Sequence, residues 1–282
     1  MSKNIKLVKT EIPIVVSSNP AIGAYNLSTT PNSFDAFRVD LDQPIHIPRN
    51  ARNCVLEVLS TSIWNNEPNI ITGVNDTLRV TGPDTLNVIT VYDLTIPQGS
   101  YSVSELNQRI QIELSNAGAK TSPDPLISLT PDEATQKIEI KIFYNGAIVD
   151  FTQPNSCWEI LGFNNTDILT ATFDGESFLA PNEASFNVIN FYLISSNLVS
   201  QGLRFNNTYR QIINQTNIDV RPNSLIVSQP FNPSRIECPE LVGQVRSNFD
   251  IRLLKDDFTP ANTRGEYFSV RLSLSYLEPI EF

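Results

Sequence analysis

The sequence predicts an all-β protein, and three observations carry that expectation. From Tyr267 to Leu277 the chain alternates strictly, with Phe268, Val270, Leu272, Leu274 and Tyr276 set between Ser269, Arg271, Ser273 and Ser275. A period of two is that of a strand with one face on a core and the other in water. The same alternation appears in Phe249, Ile251 and Leu253, and in Phe37, Val39 and Leu41 against Arg38, Asp40 and Asp42. Turn punctuation is also dense: 19 Pro and 11 Gly, with many Asn, Ser and Thr, separate short apolar runs, as in a chain with many connections. Lys255–Asp257 and the Pro260–Gly265 segment supply turn chemistry between the last two strands, which are expected to form an antiparallel hairpin. The first clear strand, around Phe37–Leu41, is expected beside the last one in a single sheet.

Taken in order, residues 1–32 read as an arm of short apolar pieces broken by Pro13, Pro20 and Pro31. Phe34 to Ile47 is a strand limited by Pro44 and Pro48, since proline belongs at a sheet's edge or end. Asn53 to Trp64 is apolar on both faces and is expected between packed layers. Two short strands follow within Leu78–Ile96. A helix is predicted near 102–116: Ser102 and Glu105 form a capping box, Val103, Leu106, Ile110 and Leu114 fall on one stripe, and Gly118 is placed to end it. Gln108, Gln111 and Glu113 are expected outward. Ile127–Leu129 and Lys137–Phe143 read as a hairpin burying Ile138, Ile140 and Ile142, and Ser156–Phe163 as a short helical turn. Strands resume at Asn187–Ser195 and Leu225–Val227, with an extended segment around Ile236. No internal repeat is present.

With 40% hydrophobic residues the chain can bury a sizeable core. A net charge of −10, without a stripe of Lys and Arg, argues against sequence-specific nucleic-acid binding. Only the N-terminus is locally basic, through Lys3, Lys6 and Lys9; it reads either as a solvated terminus or as an arm that docks on a neighbouring subunit or acidic surface. No secretory leader and no bilayer-spanning apolar run is evident. Cys54, Cys157 and Cys238 are scattered and odd in number, so they are expected to be reduced and buried, as in a chain made in a cytoplasm. Asn-x-Ser/Thr triplets beginning at Asn26, Asn75, Asn164, Asn206 and Asn214 are expected to be chance in an Asn-rich chain.

Candidate chemistry is sparse. His46 is the single histidine, within Pro44-Ile45-His46-Ile47-Pro48, and is expected to be a half-buried strand residue rather than a base. Its solitude removes His-based triads and His-rich metal sites. Two acidic pairs, Asp40 with Asp42 and Asp256 with Asp257, could in principle serve a two-carboxylate hydrolase, and the first pair a calcium ion, but all four read as surface or turn acids. Glycine-rich phosphate loops are absent. Trp64 and Trp158, with Tyr25, Tyr92, Tyr101 and Tyr209, could build a stacking platform, or simply pack. No residue is assigned a catalytic, cofactor-binding or metal-ligating role.

Two stretches carry a resemblance. One is Leu94-Thr95-Ile96-Pro97-Gln98-Gly99-Ser100-Tyr101-Ser102, which leads into Leu106 and Ile110, with Ile160-Leu161-Gly162-Phe163 later; the other, near the end of the chain, is Gly265-Glu266-Tyr267-Phe268-Ser269-Val270-Arg271-Leu272. Together they resemble the penton-type and related jelly-roll capsid proteins of icosahedral double-stranded DNA viruses, the adenovirus, polinton and virophage group. The resemblance implies a jelly-roll barrel formed by 33–84 and 167–282, an inserted β-rich subdomain at 85–166 carrying the helix, and the arm at 1–32. Two small jelly rolls in tandem, as in double-jelly-roll major capsid proteins, is the alternative architecture. It further implies a non-enzymatic virion protein, made in the host cytoplasm, that self-assembles as a pentamer or trimer beside other capsid proteins. The arm would then be free to touch an internal membrane. A carbohydrate-binding β-sandwich using Trp64 or Trp158 is the rival from another class.

Overall fold

The computed structural model describes residues 5–186 and 189–281; Lys3, and the first two residues of the strand expected from Asn187, Asn187 and Val188, lie outside the described residues. The chain forms two compact units, one of Met1–Glu67 with Ile189–Phe282 and one of Pro68–Val188. The first unit begins with β1 (Ile5–Ser17), β2 (Ala24–Asn26), β3 (Ala36–His46) and β4 (Arg52–Asn65). The second comprises β5 (Thr77–Pro83), β6 (Ile89–Thr95), α1 (Val103–Asn116), β7 (Ile127–Asp132), β8 (Lys137–Ile142), β9 (Ile148–Asp150), α2 (Trp158–Leu161), β10 (Ile168–Thr170) and β11 (Glu176–Leu179). The chain re-enters the first unit as β12 (Phe191–Ser196), β13 (Arg204–Phe205), β14 (Thr208–Tyr209), β15 (Ile212–Asn217), β16 (Ser224–Ser228), β17 (Arg235–Glu237), β18 (Val245–Leu254) and β19 (Ser269–Glu281).

In the first unit one sheet runs β1-β19-β4-β16, with β17 also on β4, and the other runs β15-β12-β18-β3-β2. Every pairing is antiparallel. The chain switches sheet between β1 and β2, between β3 and β4, across the insertion from β4 to β12, between β15 and β16, and again between β17, β18 and β19. Four principal strands per sheet with this order are the two interleaved Greek keys of a jelly roll. The architecture is therefore a single jelly roll with a β-rich insertion between β4 and β12, not two rolls in tandem.

Several expectations change. The partner of the last strand is β1, in register from Ile5 opposite Glu281 to Ser17 opposite Ser269, whereas β3 lies in the facing sheet. Residues 5–17 are thus a strand and not an arm: Ile14 and Val16 point into the core, and an edge strand tolerates Pro13 because one of its two rows of N–H groups has no ladder to serve. The last two strands do not form a hairpin. Both edges of β18 are taken, by β3 and β12, so the 255–268 segment carries the chain across the core to the other sheet. The insertion also begins earlier and ends later than 85–166, because β5 pairs with β6 and β9 and β11 pairs with β8, all inside Pro68–Val188. Phe37 and Phe268, both buried, meet edge-on at 5.4 Å, so the two alternating strands face one another across one core.

The inserted unit holds sheets β10-β9-β5-β6 and β11-β8-β7. The α1 capping box is formed: Glu105 N–H donates to Ser102 Oγ and Ser102 N–H to Glu105 Oε2. Leu106, Ile110 and Leu114 are buried, as are Ile138, Ile140 and Ile142 of β8. Gln111 faces the sheet rather than water, donating to the Ile127 carbonyl at 2.7 Å. Phe151 and Phe163 stack at 4.9 Å in its core.

Candidate functional site

The residues singled out from sequence do not converge. His46 is exposed near the end of β3, between the buried Ile45 and Ile47. Asp40 and Asp42 are exposed on the outer face of the same strand. Asp256 accepts from the backbone N–H and side-chain amide of Asn190, and Asp257 from the N–H and hydroxyl of Thr259 at 2.8 and 2.6 Å. These bonds hold the Asp257 carboxyl below the usual carboxylate range and mark it as a turn former. Among the described residues no cluster of three or more His, Cys, Asp or Glu could hold a metal ion. The thiols are less scattered than the sequence suggests: Cys238 N–H donates to the Cys54 carbonyl at 2.8 Å, and both side chains are buried. Burial pushes Cys54 up to about 11 and Cys238 to about 12, far from thiolate reactivity.

The aromatics are dispersed as well. Tyr92, Tyr101 and Trp158 belong to the inserted unit, where Tyr92 is buried and Trp158 packs against the core. Tyr25 and Tyr209 are exposed on separate strands of the barrel. Trp64, at the end of β4, is half-buried and lines an open cleft of 250 Å³ with Asn66, Asn223, Arg264 and Glu266.

A buried polar network holds that cleft, and it has no local signature in the sequence. Asn66 donates through its amide to the Thr263 carbonyl, and Glu67 accepts from the Asn262 N–H at 2.7 Å. Thr263 Oγ1 accepts from the Phe34 N–H, and Ser33 Oγ from the Thr263 N–H. Glu67 is only 8% exposed, with Lys255 at 3.7 Å; burial, opposed by the Asn262 bond and by Lys255, pushes its carboxyl up. In sequence Asn65–Asn69 is a polar loop, and nothing local signals that Asn66 and Glu67 turn inward.

A larger cleft of 540 Å³ lies between Ser200–Arg204 and Arg235–Glu240. Three of its charged side chains are already engaged, Arg235 with Glu57 at 3.2 Å, Glu240 with the Ser200 N–H, and Arg204 with Asn207, while Glu237 also lines it.

The barrel sheet β1-β19-β4-β16 has a different kind of surface feature. Its two outer strands both present apolar side chains to water: Leu7 and Val15 on β1, Leu225 and Val227 on β16, with Phe231 just beyond. Val15 is 72% exposed, Val227 65% and Phe231 98%.

No protein-family model and no curated protein matches the chain. Among solved structures it is similar to the penton protein of mavirus, at 12% identity and a TM-score of 0.46, over 97% of this chain and 100% of that one. It is likewise similar to a chain in the cryo-EM structure of the Sputnik virophage, at 14% identity and a TM-score of 0.43, over 94% and 97% of the two chains.

Proposed function

We propose that the chain is a structural coat subunit of an icosahedral virus, which assembles head to tail into a closed vertex ring of five copies. One observation carries the reading: apolar side chains stand in water at both ends of a single jelly-roll sheet, on β1 and on β16 with Phe231. Contiguous exposed apolar surface marks interaction sites, and Leu225 and Val227 stand two places apart on one face of β16. Two different surfaces at opposite ends of one sheet suit a heterologous contact, which makes a ring when the rotation closes. An obligate interface of that sort buries roughly 2,000 Å² or more. A trimer is the alternative ring, which would need a larger rotation between neighbouring copies. The resemblance of the Ile96–Ser102, Ile160–Phe163 and Gly265–Leu272 stretches to jelly-roll capsid proteins points the same way. Residence in the virion after synthesis in the host cytoplasm, beside other coat proteins, follows from the role. Membrane contact by an N-terminal arm is not carried forward, because Ile5–Ser17 is committed to the ladder with β19.

The test is the mass of the purified protein in solution and its image in negative stain. Closed rings are expected, and Val15→Asp or Val227→Asp alone should give folded monomers. Mixing the two variants should restore dimers, since each retains the surface the other lacks. A wild-type chain that stays monomeric at high concentration would overturn the reading.

A further inference from the structure

The cleft beside Trp64 has a composition and a rigidity that lateral assembly does not require. Its walls come from three places in the chain: Trp64 and Asn66 from the end of β4, Asn223 from the approach to β16, and Arg264 with Glu266 from the 255–268 crossing. Each wall is fixed from behind. Asn223 N–H donates to the Asn65 carbonyl at 2.6 Å. The crossing is tied down by the bonds of Asn262 and Thr263 to Glu67, Ser33 and Asn66, and by Glu266 N–H to the Thr263 carbonyl at 2.9 Å. Arg264 at φ 48° and Asn223 at φ 59° both sit in the left-handed region. Asparagine enters this region readily at turns, so it is Arg264 whose backbone is held there by its surroundings at some cost.

We propose that this cleft binds one ring of a neutral sugar, the Trp64 indole lying against the sugar's C–H face while Asn223, Arg264 and Glu266 bond its hydroxyls. The chemistry of the walls selects that ligand. A half-buried indole that lines an open cleft offers an apolar plane with a polar rim, suited to a ligand that is apolar on one face and hydroxylated at its edge. One amide, one guanidinium and one carboxylate supply both donors and acceptors, which hydroxyl groups need together. Arg264 and Glu266 cancel in charge, and the chain as a whole is at −10, so anionic ligands such as nucleotides or sialylated glycans are disfavoured. At 250 Å³ the cleft is smaller than the roughly 300–1,000 Å³ of drug-sized ligand sites, which limits it to a single ring with the rest of any glycan in solvent.

The sequence contains two tryptophans, so Trp158→Phe leaves Trp64 as the only indole reporter. Titration of that variant with neutral hexoses and N-acetylhexosamines should give a saturable fluorescence change, with saturation-transfer NMR on the wild-type chain as the parallel measurement should the variant fold poorly. Glu266→Gln and Arg264→Ala, both on an exposed loop, should each weaken binding about tenfold with circular dichroism unchanged. Trp64→Ala should abolish saturation transfer. Overturning results are no saturable signal by either method, saturation only by sialic acid or a nucleoside monophosphate, or binding that both loop variants leave unaltered. These outcomes are independent of the oligomeric state that tests the coat reading.

Discussion

The barrel and the inserted unit are both antiparallel β-structures, yet they are built on opposite principles. In the inserted unit the chain pairs mainly with its near neighbours: β5 with β6, β7 with β8, and α1 beside β6 and β7 in sequence. In the barrel, β1 pairs with β19 across almost the whole chain, β3 with β18, and β4 with β16, β17 and β19. Pairings of high sequence separation must meet their loop-closure cost before they are rewarded. The inserted unit can therefore order early from local signals, while the barrel cannot be complete until β19, at the far end of the chain, is available. A long interruption between β4 and β12 is tolerable for the same reason, since loop-closure cost grows only slowly with length.

This contrast can be broken or sharpened by experiment. The largest effect is expected from Phe268→Ala, which empties one side of the edge-on pair with Phe37 and should cost about 3–5 kcal/mol, as buried Phe truncations do. Hydrogen exchange resolved by segment should show β1, β4 and β19 losing protection while β7 and β8 keep theirs; equal loss in both would show that the units unfold as one. The converse change, Ser102→Ala, removes one half of the α1 capping box and should cost about 1 kcal/mol, confined to the inserted unit.

Glu67→Gln tests the network beneath the Trp64 cleft by its pH dependence. Burial raises the Glu67 carboxyl above its ordinary 4.5, so the folded chain binds that proton more tightly than the unfolded chain does. Wild-type stability is accordingly drawn down by this group as pH rises from about 4.5 through the raised value. Glutamine keeps an acceptor for the Asn262 N–H without the charge. Urea midpoints of Glu67→Gln should therefore gain on wild type as pH climbs through that window, and a constant difference would show that the carboxyl titrates normally. Asp257 works in the opposite sense: its lowered value contributes stability above about 3.8 that fades as pH falls, so the two groups separate on the pH axis.

Much of the secondary structure was written locally. The alternation from Phe268 to Tyr276, the capping box and stripe of α1, and the Ile138–Ile142 face of β8 each follow from spacing, because side-chain direction repeats with a fixed period in strand and helix. Other strands were silent. Ile212–Asn217 carries Asn214 and Thr216 inward, where their side chains bond one another at 3.0 Å and Thr216 meets Thr61 at 3.2 Å, so polarity concealed a buried strand. Neither clefts nor outward apolar edges have a local signature: Trp64, Asn223 and Arg264 are far apart in the chain, as are Val15 and Val227.

What the sequence by itself determined was the class of the fold, the faces of its clearest strands and the position of its helix, since each depends on residues a few places apart. Which strand closes the barrel was decided only in three dimensions. Ile5–Ser17 holds lysines and a proline that read as coil, and it becomes a strand because β19 offers it thirteen residues of ladder and a core for Ile14 and Val16. The same holds for Glu67, whose burial comes from a loop nearly two hundred residues later, Asn262 with Lys255. Pairing partners and desolvation belong to the assembled chain, and a period of two records only that a strand has two faces.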